Sequence, residues 1–198
     1  MDYKTRILNH AKLNNGVVTS KWCVENQIPK IYLTRMTKSG SLSRIARGIY
    51  ATEVADYDSY HLLQQTNPVC IFSYVSALDI LEMTDIIPQN TEVTVYTGYN
   101  PSHLPNDVIV HYIREDLHHL GVTEHTTRFG NTVKTYNLER TICDLISNRD
   151  KVESELFSKT INAYARKKDR NMALLFEYAE KMNITHRVQQ LFEVLQIE

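Results

Sequence analysis

Five side chains between positions 30 and 38 have the types and spacing best suited to contact with another molecule. At about 100° per residue they share one arc of a helical wheel, opposite Pro29, Leu33 and Met36. Arginine can donate to guanine in the major groove of DNA, and an aliphatic side chain can contact a thymine methyl group. This arc, the recognition face, therefore predicts DNA recognition. Its members are Lys30, Ile31, Thr34, Arg35 and Lys38.

Residues 42–50 follow this segment and predict a β-hairpin. Apolar residues flank an Arg47-Gly48 pair that suits a tight turn. Arginines at such a tip would contact phosphates, which position a protein on DNA without reading its sequence. Two residues at the start of the preceding helix complete the expected DNA-contact set. That set is Thr19, Lys21, Lys30, Ile31, Thr34, Arg35, Lys38, Arg44 and Arg47.

Three acidic residues, Asp79, Glu82 and Asp85, lie close together at helical spacing. Clustered carboxylates can hold a metal ion for nucleic-acid cleavage, so a metal-dependent nuclease fused to a DNA-binding module is an alternative function. The strand at residues 92–95 lacks the acid-x-Lys pattern that would complete such a site. The pattern therefore favours a solvated acidic helix end, and we expect no catalytic residues.

Five of the eight histidines lie between positions 103 and 125. Zinc ligands come at short fixed spacings, and neither an HExxH motif nor a nearby cysteine accompanies these histidines. The six glycines also show no phosphate-loop or dinucleotide spacing. We therefore expect no metal and no cofactor, and surface or interface histidines that would make an interface pH-sensitive between about pH 6 and 7. They are His103, His111, His118, His119 and His125.

Two further charged groups occur in the C-terminal region. Glu139, Arg140 and Asp144 share one helix, where Arg140 and Asp144 have the i,i+4 spacing of an ion pair. We expect that pair to be structural rather than catalytic. The basic run 166–170 is typical of a solvated loop, with a second phosphate contact as the alternative.

The charge of the chain is divided unevenly between its parts. The 198 residues carry a formal net charge of −1, but residues 1–50 hold nine Lys and Arg against two acids, and the remainder carries −8. Such asymmetry indicates a module for a polyanion joined to a second domain.

The composition predicts a soluble cytoplasmic protein. The N-terminus lacks the basic and apolar run of a signal peptide, and the sequence has no apolar stretch of roughly 18 residues, as a membrane helix requires. Cys23, Cys70 and Cys143 are widely spaced, so we expect them to be reduced and buried.

The elements that must position the recognition face are three short helices and the hairpin. Helical periodicity covers residues 3–13, with apolar side chains at Tyr3, Ile7, Leu8 and Ala11. Thr19 is a good N-cap for a second helix that runs through Asn26, with Trp22 and Cys23 facing inward. Pro29 suits the start of a third helix that ends at Gly40. These elements predict a winged helix-turn-helix over residues 1–55.

Residues 56–198 predict a mixed α+β domain with a small sheet and a helical C-terminal half. Helices are expected over 57–66 and from Ser73 to before Pro88, and four strands over 93–97, 108–113, 122–129 and 132–136, the last two joined by a Gly130-Asn131 turn. Four more helices follow, the last marked by Val188, Leu191, Phe192 and Leu195. The fold class is therefore α+β.

Three local strings, together with the order of elements, resemble the AbiEi antitoxins of bacterial type IV AbiE toxin–antitoxin systems. They are residues 16–19, the wing string 42–50, and the run 137–146, which reads Asn-Leu-Glu-Arg-Thr-Ile-Cys-Asp-Leu-Ile. The wing string is moderately specific. A generic winged helix does not predict the run 137–146, which makes it the more telling of the three.

The resemblance implies a non-enzymatic antitoxin that also represses its own operon. In that family the N-terminal winged helix binds inverted repeats in the promoter as double-stranded DNA, which implies a dimer or a cooperative pair on DNA. The C-terminal domain acts against a nucleotidyltransferase-like toxin in abortive phage infection, and direct binding of the toxin stays open. An orphan transcriptional regulator is the further alternative.

Overall fold

The computed structural model describes residues 2–194 of the chain. Its residues divide into two units, Met1–Thr66 and Asn67–Glu198. The boundary expected from the sequence lies between residues 55 and 56, before the helix Ser59–Thr66, which the structure groups with the first unit. Within the described residues, no helix is both long and apolar enough to cross a membrane.

The first unit is a winged helix-turn-helix. Strand β3 lies between β1 and β2, and both pairings are antiparallel. The unit consists of α1 (Tyr3–Leu13), β1 (Val17–Thr19), α2 (Ser20–Glu25), α3 (Ile31–Lys38), β2 (Ser43–Ala46), β3 (Ile49–Ala51) and α4 (Ser59–Thr66).

The core of the first unit is small and draws on every helix of the motif. Leu33 and Met36 are buried, as their side of the wheel predicts. Pro29, which was expected on the inward side of α3, is exposed, and Leu8 on α1 is exposed as well. Ile28, in the turn before α3, is buried where Pro29 was expected. The core members are Ile7, Ala11, Val18, Cys23, Ile28, Leu33, Met36 and Leu42.

Two helices of this unit begin later than the sequence indicates. The first i,i+4 bond of α3 runs from the amide of Thr34 to the carbonyl of Lys30, so the helix begins at Ile31 rather than at Pro29. In α4, the Asp58 carboxylate accepts from the amide of His61 at 3.0 Å. This N-cap starts the helix at Ser59 rather than at residue 57.

The second unit is a five-stranded mixed sheet with helices. The strand order is β6-β5-β4-β8-β7, with β5–β6 and β4–β8 parallel and the other two pairings antiparallel. Its elements are β4 (Ile71–Phe72), α5 (Tyr74–Ile80), β5 (Thr91–Tyr96), β6 (Val108–Ile113), α6 (Glu115–His118), β7 (Val122–Thr126), β8 (Thr132–Tyr136), α7 (Leu138–Ser147), α8 (Ser154–Arg166), α9 (Met172–Lys181) and α10 (Thr185–Val194), with a 3-10 turn at Arg149–Lys151.

The sheet departs from the sequence prediction at three places. Strand β4 is additional: its two residues are too few to show a periodicity, yet they form the centre of the sheet. Strand β5 is buried on both faces, so its Thr94 is buried and the expected alternation fails. Strand β7 ends at Thr126 instead of Phe129, because the amide of Thr127 donates to the carbonyl of Asn131 and closes a longer loop.

Helix α5 ends at Ile80, well before Pro88. Glu82 has φ +56°, and the amide of Met83 donates to the carbonyl of Leu78 at 2.8 Å. This is the left-handed C-terminal cap that ends many helices. Helix α6 and the 3-10 turn were not expected, since each spans only one turn.

Helices α5 and α7 to α10 surround the main core of the second unit. The periodicity after Asn137 predicted the last four of these helices. Cys143 is buried in this core, and all three cysteines are free and buried as expected. Leu195, expected in the last helix, lies outside the described residues.

Arg140 is the largest fully buried side chain in the described residues. Its Nη1 donates to the carbonyl oxygens of Leu117 at 2.8 Å and Leu120 at 2.7 Å, and its Nε donates to Asp144 at 3.1 Å. The guanidinium carbon also lies 4.1 Å from the centre of the Tyr136 ring. The expected i,i+4 ion pair within α7 is therefore confirmed, and the hydrogen bonds from Arg140 to Leu117 and Leu120 hold helix α7 to the segment around α6.

Replacing Arg140 with methionine should destabilise the second unit by about 3 kcal/mol or more, because Asp144 stays buried without its partner. Urea unfolding followed by circular dichroism measures this. The control is Arg114→Met, which breaks the exposed pair with Asp116 and should cost about 1 kcal/mol or less. Equal losses for the two variants would contradict a central role for Arg140.

Gly121 packs directly against Arg140. It has φ +76°, and a Cβ added there would lie 2.6 Å from Cβ of Arg140. Gly130 has a similar φ of +83°, but a Cβ added there would have no neighbouring atom within 4 Å. Both alanine variants incur backbone strain, but Gly121→Ala should lose about 2 kcal/mol more than Gly130→Ala in the same unfolding measurement. Equal free energies of unfolding for the two variants would show that the Arg140 side chain moves away from the added Cβ at no cost.

Candidate nucleic-acid interface

Helix α3 presents the recognition face to solvent. All five of its members, Lys30, Ile31, Thr34, Arg35 and Lys38, are exposed, and half of the Ile31 side chain is accessible. Leu33 and Met36, on the other side of α3, are buried in the core. A helix held by one apolar side and exposing donors on the other has the arrangement that groove recognition requires.

Interactions within α1 to α3 hold the recognition helix in place. Gln27 adopts φ +57° in the turn between α2 and α3. Nη2 of Arg6, on α1, donates to the carbonyl of Asn26 at 3.1 Å, next to this turn. The His10 ring stacks on Trp22 at 3.7 Å, which joins α1 to α2. Arg6 is thus a structural residue of this basic segment.

The recognition face has little acidic charge near it in sequence. Residues 1–50 contain two acids, Asp2 and Glu25. Glu25 lies 4.0 Å from Lys21, and both side chains are largely exposed, so this pair is weak. Arg35 lies with its guanidinium carbon 5.6 Å from the centre of the Tyr32 ring, an arrangement that orients it without neutralising its charge.

The wing is the hairpin of β2 and β3. Gly48 has φ +79° at the predicted turn, and its carbonyl accepts from the amide of Ser20 at 2.7 Å. Arg44 and Arg47 are both exposed, and Nε of Arg44 donates to the carbonyl of Ala46. The turn is therefore held against the start of α2, with two exposed arginines on the hairpin.

Thr19 and Lys21 occupy different environments at the start of α2. The hydroxyl oxygen of Thr19 accepts from the amide of Trp22 at 3.1 Å, which confirms Thr19 as the N-cap. Its side chain is partly buried, whereas that of Lys21 is exposed. A DNA contact by either residue stays a prediction.

The acidic residues considered for a nuclease do not share one helix. Asp79 lies in α5, while Glu82 and Asp85 follow the end of that helix and are exposed. Among the described residues, no three His, Cys, Asp or Glu side chains are grouped as metal ligands would be.

The histidines of residues 103–125 are spread over several elements. His103 hydrogen-bonds with the Tyr99 hydroxyl at 2.9 Å, and His125 lies beside the carbonyl of Thr126. His118 is buried in α6, with Nε2 at 3.3 Å from the carbonyl of Thr94, while the neighbouring His119 is exposed. The rings of His118 and His119 contact each other edge to face, with centroids 4.9 Å apart, whereas His103 and His125 lie in separate surroundings.

Sequence reasoning missed a cavity of about 450 Å³ in the second unit. On its wall, Nε2 of His111 lies 2.5 Å from Oε2 of Glu92, and the His111 ring stacks on Tyr74 at 3.8 Å. The Asn148 amide donates to the Tyr74 hydroxyl at 2.7 Å. These residues come from α5, β5, β6 and the C-cap of α7 and share no motif, so no local signal could have identified the group.

The stability of the second unit should fall on acidification because of His118. Burial lowers the pKa of this imidazole below the ordinary histidine value of about 6.5, so the unfolded chain binds a proton more readily. The contribution is complete above about pH 6.5 and is lost as the pH falls through the folded-state pKa. In urea unfolding between about pH 7 and 5, His118→Gln should show a flatter pH dependence than the unmodified protein. Identical slopes would contradict this assignment.

Comparison with known proteins bears on the first unit. Residues 6–52 match the sequence model of a family described as "Transcriptional regulator, AbiEi antitoxin". The match runs from within α1 through β3 and confirms the family resemblance over this segment. Residues 53–198 lie outside the match. No curated protein matches the chain significantly.

Proposed function

We propose, from the AbiEi match of residues 6–52, that this chain is an antitoxin that binds double-stranded DNA and represses its own operon. The observation that carries the DNA-binding part is the recognition face of α3, whose five members are all exposed while Leu33 and Met36 anchor the helix from behind. A structural helix of a small basic subdomain has no need of such a face. The match to a family of transcriptional regulators supports the same function.

The proposed contacts divide into base reading and phosphate binding. Ile31, Thr34 and Arg35 lie along the centre of the recognition face, with Lys30 and Lys38 near its two ends. Arg35 would donate to guanine, and Ile31 would contact a thymine methyl group. Arg44 and Arg47 on the wing, with Thr19 and Lys21 at the start of α2, would bind the flanking phosphates.

The antitoxin part of the proposal assigns the second unit to action against a nucleotidyltransferase-like toxin, in a type IV system of abortive phage infection. The run 137–146, which carries this resemblance, forms most of α7, where Arg140 and the core are located. A type IV antitoxin works without a simple inhibitory complex, so direct contact with the toxin is not required. Repression of an operon also places the protein in the cytoplasm, and we propose no catalytic activity of its own.

Charge reversal of two residues tests the recognition face. Arg35→Glu with Lys38→Glu should weaken binding to the chain's own promoter by at least about 100-fold, because two phosphate- or base-directed cations become anions. Gel shift or fluorescence anisotropy at fixed salt measures the affinity. Trp22, the sole tryptophan, reports through its fluorescence whether the first unit stays folded.

The matched control is Lys4→Glu with Lys12→Glu, which changes the net charge equally on exposed positions of α1. This control should lose far less affinity than the α3 variant. Equal losses would mean that net charge alone drives binding, and unchanged affinity of the α3 variant would refute the recognition face.

Loss of Arg35 should reduce sequence discrimination, whereas loss of Arg47 should reduce the affinity for any DNA. Arg35→Ala should reduce discrimination between operator and mutated operator by about 1–3 kcal/mol, since a base contact carries sequence information. Arg47→Ala should weaken operator and random DNA alike and lower the slope of log affinity against log salt by about 0.9. Salt titrations with both DNAs measure these effects. A loss of sequence discrimination in Arg47→Ala would reverse the two roles.

A further inference from the structure

Arg35 differs from the two lysines of the recognition face in how its charged group is held. In the part of the chain that the structure describes, the side chains of Lys30, Arg35 and Lys38 form no hydrogen bond and no ion pair. The Arg35 guanidinium carbon, however, lies 5.6 Å from the centre of the Tyr32 ring, a cation–π contact. The N–H donors of Arg35 therefore stay free for a ligand, while the ring restricts its side chain.

Tyr32 lies at the border between the recognition face and the core of the first unit. It precedes Arg35 by three positions on α3, and this spacing makes the two side chains neighbours on the helix surface. The Tyr32 side chain is itself half-buried and packs against the core. Because the ring is anchored in the core, it can hold the exposed and flexible arginine beside it in place.

A second ring, on α1, supports Tyr32. The centre of the Tyr3 ring lies 4.9 Å from that of Tyr32, and the two ring planes are tilted by 58°, an arrangement within the range that aromatic pairs favour. The guanidinium carbon of Arg6 lies 5.9 Å from the centre of the Tyr3 ring, and Arg6 also donates to the carbonyl of Asn26. Arg6, Tyr3, Tyr32 and Arg35 thus form one row of side chains from α1 to the recognition face.

We infer that Tyr32, supported by Tyr3, is a positioning residue for base recognition by Arg35 and thereby a determinant of sequence specificity. This inference rests on the proposed function of α3. Donation of two hydrogen bonds to guanine requires one orientation of the planar guanidinium. An arginine that is restricted before binding loses less conformational freedom when it binds. Lys30 and Lys38 lack such support, which fits side chains that bind phosphates as point charges.

Binding to single-base variants of the chain's own promoter tests the role of Tyr32. The base pair that Arg35 reads is the one at which Arg35→Ala loses its preference. At that pair, Tyr32→Leu should lower the preference about 2- to 5-fold, because an exposed cation–π contact is lost. Its affinity for random DNA should stay unchanged, since that affinity depends on phosphate contacts. Tyr32→Phe keeps the ring, so it is the matched control and should retain the full preference.

A double variant separates positioning of Arg35 from a general effect on folding. In the Arg35→Ala background, Tyr32→Leu should change the preference no further, because the side chain that it positions is gone. Tyr3→Leu should lower the preference at the same base pair, and Trp22 fluorescence reports whether each variant stays folded. A folded Tyr32→Leu with the full preference of the unmodified protein, or an additive loss in the double variant, overturns the inference.

Nuclear magnetic resonance relaxation of the full chain without DNA gives a second readout. The Nε–H bond of Arg35 should have a higher order parameter than that of Arg47, an exposed arginine without a ring contact among the described residues. Tyr32→Leu should lower the Arg35 value toward the Arg47 value. An Arg35 as mobile as Arg47 overturns the inference, even where Arg35→Ala loses its base preference. An Arg35→Ala variant that keeps every base preference instead refutes base reading by Arg35, whatever the relaxation data show.

Discussion

The buried guanidinium of Arg140 is the interaction on which the second unit depends. A charge removed from water costs several kcal/mol unless it is paired and hydrogen-bonded. Arg140 contacts two backbone carbonyls, one carboxylate and one aromatic ring, so it joins α6, β8 and α7 at one point. Its Nη2 and Oδ2 of Asp144 are buried without a hydrogen-bond partner among the described residues. Burial raises the pKa of Asp144, and the neighbouring guanidinium opposes that rise. Helix α7 therefore has one defined position relative to the sheet.

Further residues pack around the Arg140 guanidinium and hold it in its buried position. The chain passes so close to Arg140 at Gly121 that a Cβ would collide with the arginine stem. The Tyr136 hydroxyl, beneath the guanidinium, donates to the carbonyl of His118 at 2.8 Å. Asn137 caps α7 by accepting from the amide of Arg140 and donates to the Tyr178 hydroxyl. Asn137, Arg140 and Asp144, the polar residues that distinguish the run 137–146, thus have structural roles in the second unit.

In the first unit, the residues that form the core and those that face solvent lie on opposite sides of the same short helices. Its small core uses one side of each short helix, so α3 is free to expose a polar and basic face. Periodicity and caps therefore predicted much of this unit, including the burial of Leu33 and Met36 and the N-cap at Thr19. Pro29 was placed wrongly, because a helical wheel cannot show that Ile28, in the turn, is buried in the core in its place.

The sequence by itself determined the order of helices and the wing, the uneven charge and the residues of the recognition face. These are local properties, and each follows from spacing within a few turns or from side-chain type. Only the tertiary structure decided that β4 lies at the centre of the sheet and that β6 lies at its edge. It also decided that Arg140 binds Leu117 and Leu120, which lie 23 and 20 positions earlier in the chain. Such contacts depend on which distant elements pack together, and no local periodicity encodes that choice.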